Sequence, residues 1–263
     1  MKTKCIVVLL LVLVLFIGTV VATKIYNYYT PPHWQQPYCV KMANNDTLRI
    51  AYIGDSWAFF HRKYDQRLAK VISDSIRRPV VVKSFGVCGL TSKEIYKSLY
   101  NNPQYRGFIS EGYDYCFISA GINDAYRKMS VTYYKESMQY LIRFMLSNNI
   151  RPLILEVPDY DIYKAYERQT TLRKYLRKLS ILITSTPLNC KKLYRETLQS
   201  LITENKEFEE AEIIHSFEWN AYSHDDHNDI YVADGMHLND TGYARLDSCI
   251  SVHILSKVRK SSK

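Results

Sequence analysis

The stretch between residues 48 and 76 constrains the fold of this 263-residue chain more than any other. Residues 48–53 form an alternating, β-branched run that is typical of a buried strand, and residues 57–76 carry apolar side chains at helical spacing. The turn between them reads Gly54-Asp55-Ser56. A strand that passes through a glycine turn into a helix exposes a serine hydroxyl at the carboxyl edge of a sheet, facing the N–H groups of that helix. The alternative is that Asp55 or Ser56 only caps the helix.

Strand and helix patterns alternate along the rest of the chain. The strands are predicted near residues 48–53, 79–85, 114–119, 151–157 and 212–217. The helices are predicted near residues 57–76, 91–101, 130–148, 163–184, 190–205 and 240–257. This alternation indicates βαβ units and a parallel sheet. The stretch 158–189 departs from a minimal βαβ plan, and we expect it to form a lid or a wall.

Three further short stretches accompany the Gly-Asp-Ser turn. Residues 84–91 follow the second predicted strand, Gly121-Ile122-Asn123-Asp124 follows the third, and residues 234–239 come near the C-terminus. Together with the turn, and in this order, they resemble the four short blocks of the SGNH (GDSL-type) hydrolase family, over about residues 48–256. The resemblance implies an α/β fold of three α/β/α layers, flavodoxin-like, with about five parallel strands. It also implies a serine esterase activity.

Ester hydrolysis requires a nucleophile, a base, a group that orients the base, and donors for the oxyanion. Ser56 supplies the hydroxyl, and His237 is the natural base because imidazole titrates near neutral pH. Asp234, three residues before His237, is predicted to hold its other ring nitrogen. The family resemblance assigns the oxyanion hole to the backbone N–H groups of Ser56 and Gly89 and to the side-chain amide of Asn123. No metal and no cofactor is expected.

Trp57 is the position where this chain departs from the commonest SGNH pattern, which has leucine there. We expect Trp57 to lie beside the nucleophile and to contact the substrate. An α/β-hydrolase is the alternative fold, but its Gly-x-Ser-x-Gly elbow is missing because Ala58 stands in place of the last glycine. Asp124 is expected at most to support the site. Cys88 is predicted near the site, yet the sequence offers no base for it as a nucleophile.

The N-terminal segment contains no charge from Cys5 to Thr23 and consists mostly of valine, leucine and isoleucine. Residues 1–23 are therefore predicted to be a membrane anchor or a cleaved signal peptide. Residues 24–46 are predicted to be a juxtamembrane linker, and residues 47–263 to be the SGNH hydrolase domain. The lysines on either side of the apolar run favour a catalytic domain outside the cytoplasm.

The net charge of +9 is distributed unevenly. Residues 164–195 contain nine Lys or Arg against a single Glu, and residues 204–229 contain nine acids against a single Lys. A helix near residues 172–183 combines an apolar stripe with a basic face. We interpret the basic face as solvated, with contact to acidic glycan or anionic lipid as the alternative. Nucleic acid is not expected as a partner of an exported chain, and residues 224–229 are interpreted as a polar loop rather than a metal site.

The sequence favours an esterase that removes acyl groups, above all O-acetyl groups, from a carbohydrate. Three alternatives remain open. The same residues would serve an O-acetyltransferase that passes the acyl group to a sugar hydroxyl, or a lysophospholipase or other lipid esterase. A glycan-binding protein with an inactive site is the third. The expected partners are thus an acylated carbohydrate or lipid ester and a membrane bound through the N-terminal helix, with the chain membrane-anchored or secreted.

Overall fold

The computed structural model describes residues 2–43, 46–220 and 229–261. A five-stranded parallel sheet lies at its centre, with the strand order β2-β1-β3-β4-β5. The strands are β1 (Leu48–Gly54), β2 (Val80–Gly86), β3 (Tyr115–Ser119), β4 (Arg151–Leu155) and β5 (Glu212–Ile214). The predicted α/β fold with about five parallel strands is confirmed.

Helices connect the strands and cover both faces of the sheet. They are α1 (Lys2–Tyr29), α2 (Ser56–His61), α3 (Asp65–Ile76), α4 (Ser92–Asn101), α5 (Pro103–Ile109), α6 (Ile122–Arg127), α7 (Val131–Leu146), α8 (Ile162–Glu167), α9 (Thr171–Thr184), α10 (Lys191–Thr203), α11 (Ser216–Trp219) and α12 (Asp240–Ser261). Short 3₁₀ turns lie at Arg62–Tyr64 and Lys206–Phe208. α12 packs on α3, whereas α7 packs on both α4 and α10.

The position of β1 inside the sheet determines where a site can form. β1 lies between β2 and β3. The chain therefore adds β2 on one side of β1 and then crosses over to add β3 on the other side, which reverses the direction in which the sheet grows. In parallel α/β sheets, ligands bind in the crevice outside the carboxyl ends of the strands at such a reversal. Gly54 pairs with both Gly86 and Ser119, so the three strands end at the same level. The residues that follow them therefore meet at one edge.

Several predicted elements have different bounds in the structure. The expected helix 57–76 is divided into α2, a 3₁₀ turn and α3, and the bend comes where His61 is buried. The expected helix 163–184 is divided into α8 and α9, because the Thr170 side chain caps a new helix. β5 ends three residues early at Ile214, before α11 begins. The short helices α5 and α6 were not predicted, since one or two turns carry little periodicity.

The central strands are buried on both faces, as expected for a parallel sheet. Tyr52 and Phe117 are paired across β1 and β3, and their rings meet edge to face with centroids 4.4 Å apart. The buried Tyr105 donates its hydroxyl hydrogen to the carbonyl oxygen of Gly54 over 2.7 Å. This bond fixes the last residue of β1, where the chain turns toward Ser56.

His61 ties the two outer helices α3 and α12 to the sheet. Its side chain is fully buried, with Nδ1 2.8 Å from the Ser84 hydroxyl and Nε2 2.7 Å from Asp247 Oδ1. Asp247 also accepts a hydrogen bond from Arg67 at 2.8 Å. Burial lowers the pKa of His61, but the hydrogen bonds with Asp247 and Asp65 outweigh it and leave the pKa raised. The first and last thirds of the domain are thus joined by a buried polar network.

The N-terminal helix extends from the domain. Leu11–Tyr29 is long and apolar enough to cross a membrane, a property that it shares with signal sequences. The end of α1 is held by Lys93, whose Nζ donates to the carbonyl oxygens of Asn27 and Thr30, both at 2.6 Å. The aromatic residues that follow pack on the domain, because Trp34 meets Tyr140 at 5.3 Å between ring centroids.

We predict that Gly54→Ala destabilises the domain. A Cβ at this position would lie 2.3 Å from Ser119 Oγ and 2.4 Å from the Ser119 carbonyl oxygen, so β1 and β3 would have to separate. We expect the free energy of unfolding in urea to fall by about 1–3 kcal/mol. Gly107→Ala is the matched control, since nothing lies within 4 Å of its Cβ. It should stabilise α5 by about 0.5–1 kcal/mol. A Gly54→Ala protein of unchanged stability would contradict the close approach.

Candidate active site

Ser56 begins α2 directly after the turn that ends β1. The preceding Asp55 caps this helix, because its Oδ1 accepts a hydrogen bond from the N–H of Trp57 at 3.0 Å. The Ser56 side chain is 7% exposed and reaches a pocket at the carboxyl edge of the sheet. The sequence left two alternatives for this turn, a helix cap and a serine hydroxyl that reaches a site. Both are present, because Asp55 caps α2 and Ser56 lines the pocket.

Three of the predicted residues form a continuous hydrogen-bonded chain. Ser56 Oγ lies 2.9 Å from His237 Nε2, and His237 Nδ1 lies 2.6 Å from Asp234 Oδ2. Ser56 and His237 are 181 residues apart in sequence. These distances are those of a nucleophile, a base and the carboxylate that orients the base.

Asp234 and His237 are held in place by the turn that carries them. Asp234 Oδ1 accepts hydrogen bonds from the N–H groups of Met236 and His237, at 2.8 and 2.9 Å. Gly235 has φ of +73°, a conformation that suits glycine. Burial raises the pKa of Asp234, but the hydrogen bonds from His237 and from the two backbone N–H groups outweigh it and leave the pKa lowered. The carboxylate is therefore ionised at neutral pH and favours a proton on His237 Nδ1.

Gly89 and Asn123 line the same pocket as Ser56. Gly89 has φ of +83°, and its carbonyl oxygen accepts a hydrogen bond from Arg127 Nη2 at 2.6 Å. Arg127 also pairs with Glu94 at 3.2 Å, and Glu94 belongs to the capping box of α4. Arg127 thus fixes the loop that presents Gly89. Sequence analysis missed Arg127, because no local pattern shows that its guanidinium reaches back to another block.

Asp55 has a second partner that the sequence did not reveal. Asn123 Nδ2 donates a hydrogen bond to Asp55 Oδ2 at 2.8 Å, and Asp55 is fully buried. Burial raises the pKa of Asp55 to about 7, although the hydrogen bond from the Trp57 N–H and the charge of His237 lower it. One N–H of the Asn123 amide is used in this bond, which fixes the plane of the amide and leaves the other N–H as a donor toward the pocket.

The pocket has a volume of about 370 Å³. Besides the predicted residues, Phe60 lies in it with its ring centroid 5.5 Å from that of His237. The other lining residues are Cys88, Tyr126, Ala165, Arg168 and Met236. Ala165 of α8 and Arg168, the residue after α8, thus form part of the wall, so the stretch 158–189 contributes a wall, one of its two expected roles. Burial, together with the charge of Asp55, raises the pKa of the Cys88 thiol, which makes its thiolate scarce.

Trp57 does not occupy the position expected of a substrate-binding residue. Its side chain is fully buried, and its ring packs edge to face on that of Trp219, with centroids 5.8 Å apart. Ser56 is the first residue of α2 and faces the pocket. Trp57 is the second residue, and because successive side chains of a helix point in different directions, it faces the core instead. Phe60, 42% exposed, is instead one of the aromatic residues that line the pocket. The expectation that Trp57 contacts the substrate is corrected accordingly.

Other predicted groups lie outside the pocket. Asp124 accepts hydrogen bonds from the Ser92 N–H and hydroxyl at 2.8 and 2.5 Å, so it supports the end of the Gly89 loop. Burial raises the pKa of Asp124 to about 6.

Residues 221–228 include most of the polar segment interpreted above as a loop, and they lie outside the described residues. Among the described residues, Glu218, Cys249 and His253 form a cluster of potential metal ligands, and none of them lines the pocket.

The parallel sheet and the hydrogen-bonded Ser-His-Asp chain at its carboxyl edge define the class of the protein as a serine hydrolase with an SGNH fold. The model of the GDSL-like lipase/acylhydrolase family matches residues 52–245. The chain belongs to this family, as its four blocks predicted. A comparison with curated protein sequences found no match.

Solved structures of similar fold are also acylhydrolases by name. A lipase/acylhydrolase from Enterococcus faecalis is 20% identical, with a TM-score of 0.53, over 80% of this chain and 96% of its own. The acetyl xylan esterase AlAXEase is 15% identical, with a TM-score of 0.57, over 79% of this chain and 100% of its own. An acetyl-xylooligosaccharide esterase from Geobacillus Stearmophilus is 14% identical, with a TM-score of 0.54, over 77% and 92% of the two chains. At these identities the likeness shows the shared fold.

Asn123→Ala should lower kcat by a factor on the order of 10²–10³ with little change in KM. The reason is that an amide aimed at the oxyanion acts on charge that is present mainly in the transition state. Steady-state kinetics on a soluble ester measure both constants. If only KM changed, Asn123 would bind the ground-state substrate instead.

We predict that Asp55→Asn flattens the pH dependence of stability. The pKa of Asp55 is about 7 in the folded chain against 3.8 as its ordinary value, so the folded chain holds a proton that the unfolded chain releases between these pH values. The stabilisation is complete below the lower value and is lost as the pH rises through the higher one. Urea unfolding of the variant should show a shallower fall in free energy across this window.

The same variant should lose activity. Asp55 accepts from both the Trp57 N–H and the Asn123 amide, whereas an asparagine offers one acceptor oxygen for these two donors. When that oxygen keeps the bond that caps α2, the new NH₂ faces the NH₂ of Asn123, and the Asn123 amide rotates away from its present plane. We expect kcat to fall while KM changes little. A variant with the wild-type pH slope would show that Asp55 is ionised at its ordinary pKa, and unchanged kcat would remove its role in positioning Asn123.

Proposed function

We propose that this protein is a serine esterase that hydrolyses O-acyl esters through Ser56, His237 and Asp234. The observation that carries the proposal is the chain of short hydrogen bonds from Asp234 through His237 to Ser56, which opens into a pocket shared with Gly89 and Asn123. A hydroxyl, an oriented imidazole and converging donors are the parts that acyl transfer requires.

The reaction follows from this arrangement. Ser56 Oγ attacks the ester carbonyl while His237 Nε2 takes the hydroxyl proton. The oxygen of the tetrahedral intermediate accepts hydrogen bonds from the N–H groups of Ser56 and Gly89 and from the Asn123 amide. The intermediate collapses, the alcohol leaves with the proton from His237, and the acyl group stays on Ser56. Water then attacks the acyl-serine with His237 as base, and the carboxylic acid is released.

The preferred substrate is proposed to be an O-acetylated carbohydrate. The space beside Ser56 is bounded by the apolar side chains of Phe60, Ala165 and Met236, which suits a small acyl group. Two proteins of similar fold are named as esterases of acetylated xylan or xylo-oligosaccharide. Tyr126 and Arg168 also line the pocket, and these groups are able to stack on a sugar ring or donate to its oxygens.

The location is proposed to be extracytoplasmic, with α1 as a membrane anchor. Support comes from the apolar stretch Leu11–Tyr29 and from its exposure, since every residue from Leu11 to Tyr28 is exposed. The contacts of Lys93 with the end of α1 would then hold the domain close to the membrane.

A fluorophosphonate probe tests the nucleophile. We expect Ser56 to be labelled in the wild-type protein and the label to be absent in Ser56→Ala. It should be severely reduced in His237→Ala, and reduced less in Asp234→Asn, because a neutral amide still contacts His237 but favours the wrong tautomer. Cys88→Ala is the control within the pocket and should keep the label. Label that persists in Ser56→Ala would place the nucleophile elsewhere.

A substrate panel tests the acyl group and the acceptor in the same preparation. We expect acetylated oligosaccharides and short-chain esters to be hydrolysed faster than long-chain esters. The opposite order would favour a lipid esterase. A protein that is labelled but turns over only when a sugar acceptor is added would be an O-acetyltransferase, and a folded protein without label would be a binding protein with an inactive site.

A further inference from the structure

The helix α9 exposes its apolar face. It has one buried residue, Ser180, among fourteen. Six of its seven large apolar side chains are between 46% and 79% exposed, and Ile181 is the one that is less exposed. The six are Leu172, Tyr175, Leu176, Leu179, Leu182 and Ile183. At about 3.6 residues per turn these six positions fall on a single face. The helix thus carries a continuous apolar surface that the rest of the described chain leaves uncovered.

The polar face of α9 is the one that meets the domain. The Thr184 hydroxyl donates to the carbonyl oxygen of Lys128 at 2.8 Å. The Arg177 guanidinium lies 5.3 Å from the ring centroid of Tyr126. Lys174 pairs with Glu167 of α8 at 3.0 Å. This orientation is the reverse of that in a water-soluble domain, where the apolar stripe of a surface helix is turned inward.

The outward face requires an apolar environment. Single exposed apolar residues are ordinary, but a contiguous set of this size marks a surface that contacts a partner or a lipid phase. Four basic residues on the same helix, Arg173, Lys174, Arg177 and Lys178, come with no acidic residue. Arg173 and Lys178 are exposed and flank the apolar face on its two sides. Apolar centre and basic flanks are the pattern of helices that lie in the interface of an anionic membrane.

A direct contact joins α9 to the apolar N-terminal helix. The Tyr29 hydroxyl at the end of α1 lies 2.6 Å from the Ser180 hydroxyl. Lys93 holds the neighbouring carbonyl oxygens of Asn27 and Thr30. The end of the apolar helix is therefore fixed beside α9, so a bilayer crossed by α1 would have its surface near α9. A bilayer explains both uncovered apolar surfaces with one occupant.

We propose that α9 lies in the interface of a bilayer that contains anionic lipid. Its six apolar side chains enter the acyl-chain region, and Arg173 and Lys178 meet the headgroups. The proposal rests on the proposed role of α1 as a membrane anchor and adds a second point of attachment. It also places the pocket near the membrane, since Tyr126, which contacts α9 through Arg177, lines the pocket as well.

The experiment uses the full-length chain in vesicles of phosphatidylethanolamine and phosphatidylglycerol that contain a lipid with a photoactivatable diazirine on its acyl chain. After irradiation, mass spectrometry locates the lipid adducts. We expect adducts in α1 and, separately, on the outward residues of α9. Vesicles of phosphatidylcholine should give several-fold fewer adducts on α9 but not on α1, because Arg173 and Lys178 lose their anionic partners.

The double variant Leu172→Glu/Leu179→Glu tests the apolar face. We expect it to lose the α9 adducts several-fold while the α1 adducts remain. The matched control is Val71→Glu/Val252→Glu, which places two acids at exposed apolar positions of α3 and α12 and should leave both sets of adducts unchanged. Hydrolysis of a short soluble ester should be equal in all three proteins, which reports on Ser56 chemistry independently of the membrane.

Each outcome separates the proposals. Adducts in α1 without adducts in α9 would overturn the docking of α9 and leave the anchor intact. Adducts in α9 without adducts in α1 would support the docking and overturn the anchor. If α9 gave no lipid adducts and a lysine-reactive crosslinker added to the same vesicles joined two chains through Lys174 or Lys178, a second copy would cover the face, which also overturns the proposal. A wild-type protein that does not hydrolyse the soluble ester would contradict the proposed esterase activity and would leave the docking of α9 unaffected.

Discussion

The buried carboxylate of Asp55 is the group on which the geometry of the site depends. It accepts from the backbone at the start of α2 and from the amide of Asn123 at the start of α6, so it joins the ends of two neighbouring strands. A carboxylate without water is unfavourable unless donors surround it, and its raised pKa reflects the remaining cost. The positions of the nucleophile and of Asn123 are consequently coupled: a shift of either one strains the same carboxylate.

The remaining parts of the site are held by separate means. The loop of Gly89 is fixed by Arg127, which bonds its carbonyl oxygen and also pairs with Glu94. The pair of Asp234 and His237 is fixed by hydrogen bonds inside its own turn. Gly89 and Asn123, the proposed oxyanion donors, thus follow the ends of β2 and β3, whereas Asp234 and His237 form a compact unit that meets Ser56. Such preorganisation is what lets fixed dipoles act on a developing charge.

The sequence predicted the sheet, the order of the four blocks, and five of the residues that line the pocket, namely Ser56, Gly89, Asn123, Asp234 and His237. Those features rest on local patterns: alternation, turn glycines and the spacing of Asp234 and His237. It was not sufficient for Trp57, because periodicity groups the residues of α2 by face without saying which face meets the core. The same reason applies to α9, whose stripe was visible while its outward orientation was not. The second partner of Asp55 depends on a contact 68 residues away, which no window contains.

The distance in sequence between Ser56 and His237 has a consequence for the order in which the site is assembled during synthesis. Translation delivers Ser56 181 residues before His237, its hydrogen-bond partner. In the interval Ser56 lacks His237, and α12, which is joined to the sheet through Asp247 and His61, has not been synthesised. The hydrogen bond between Ser56 and His237 can therefore form only late in synthesis, after both strands that flank β1 are complete.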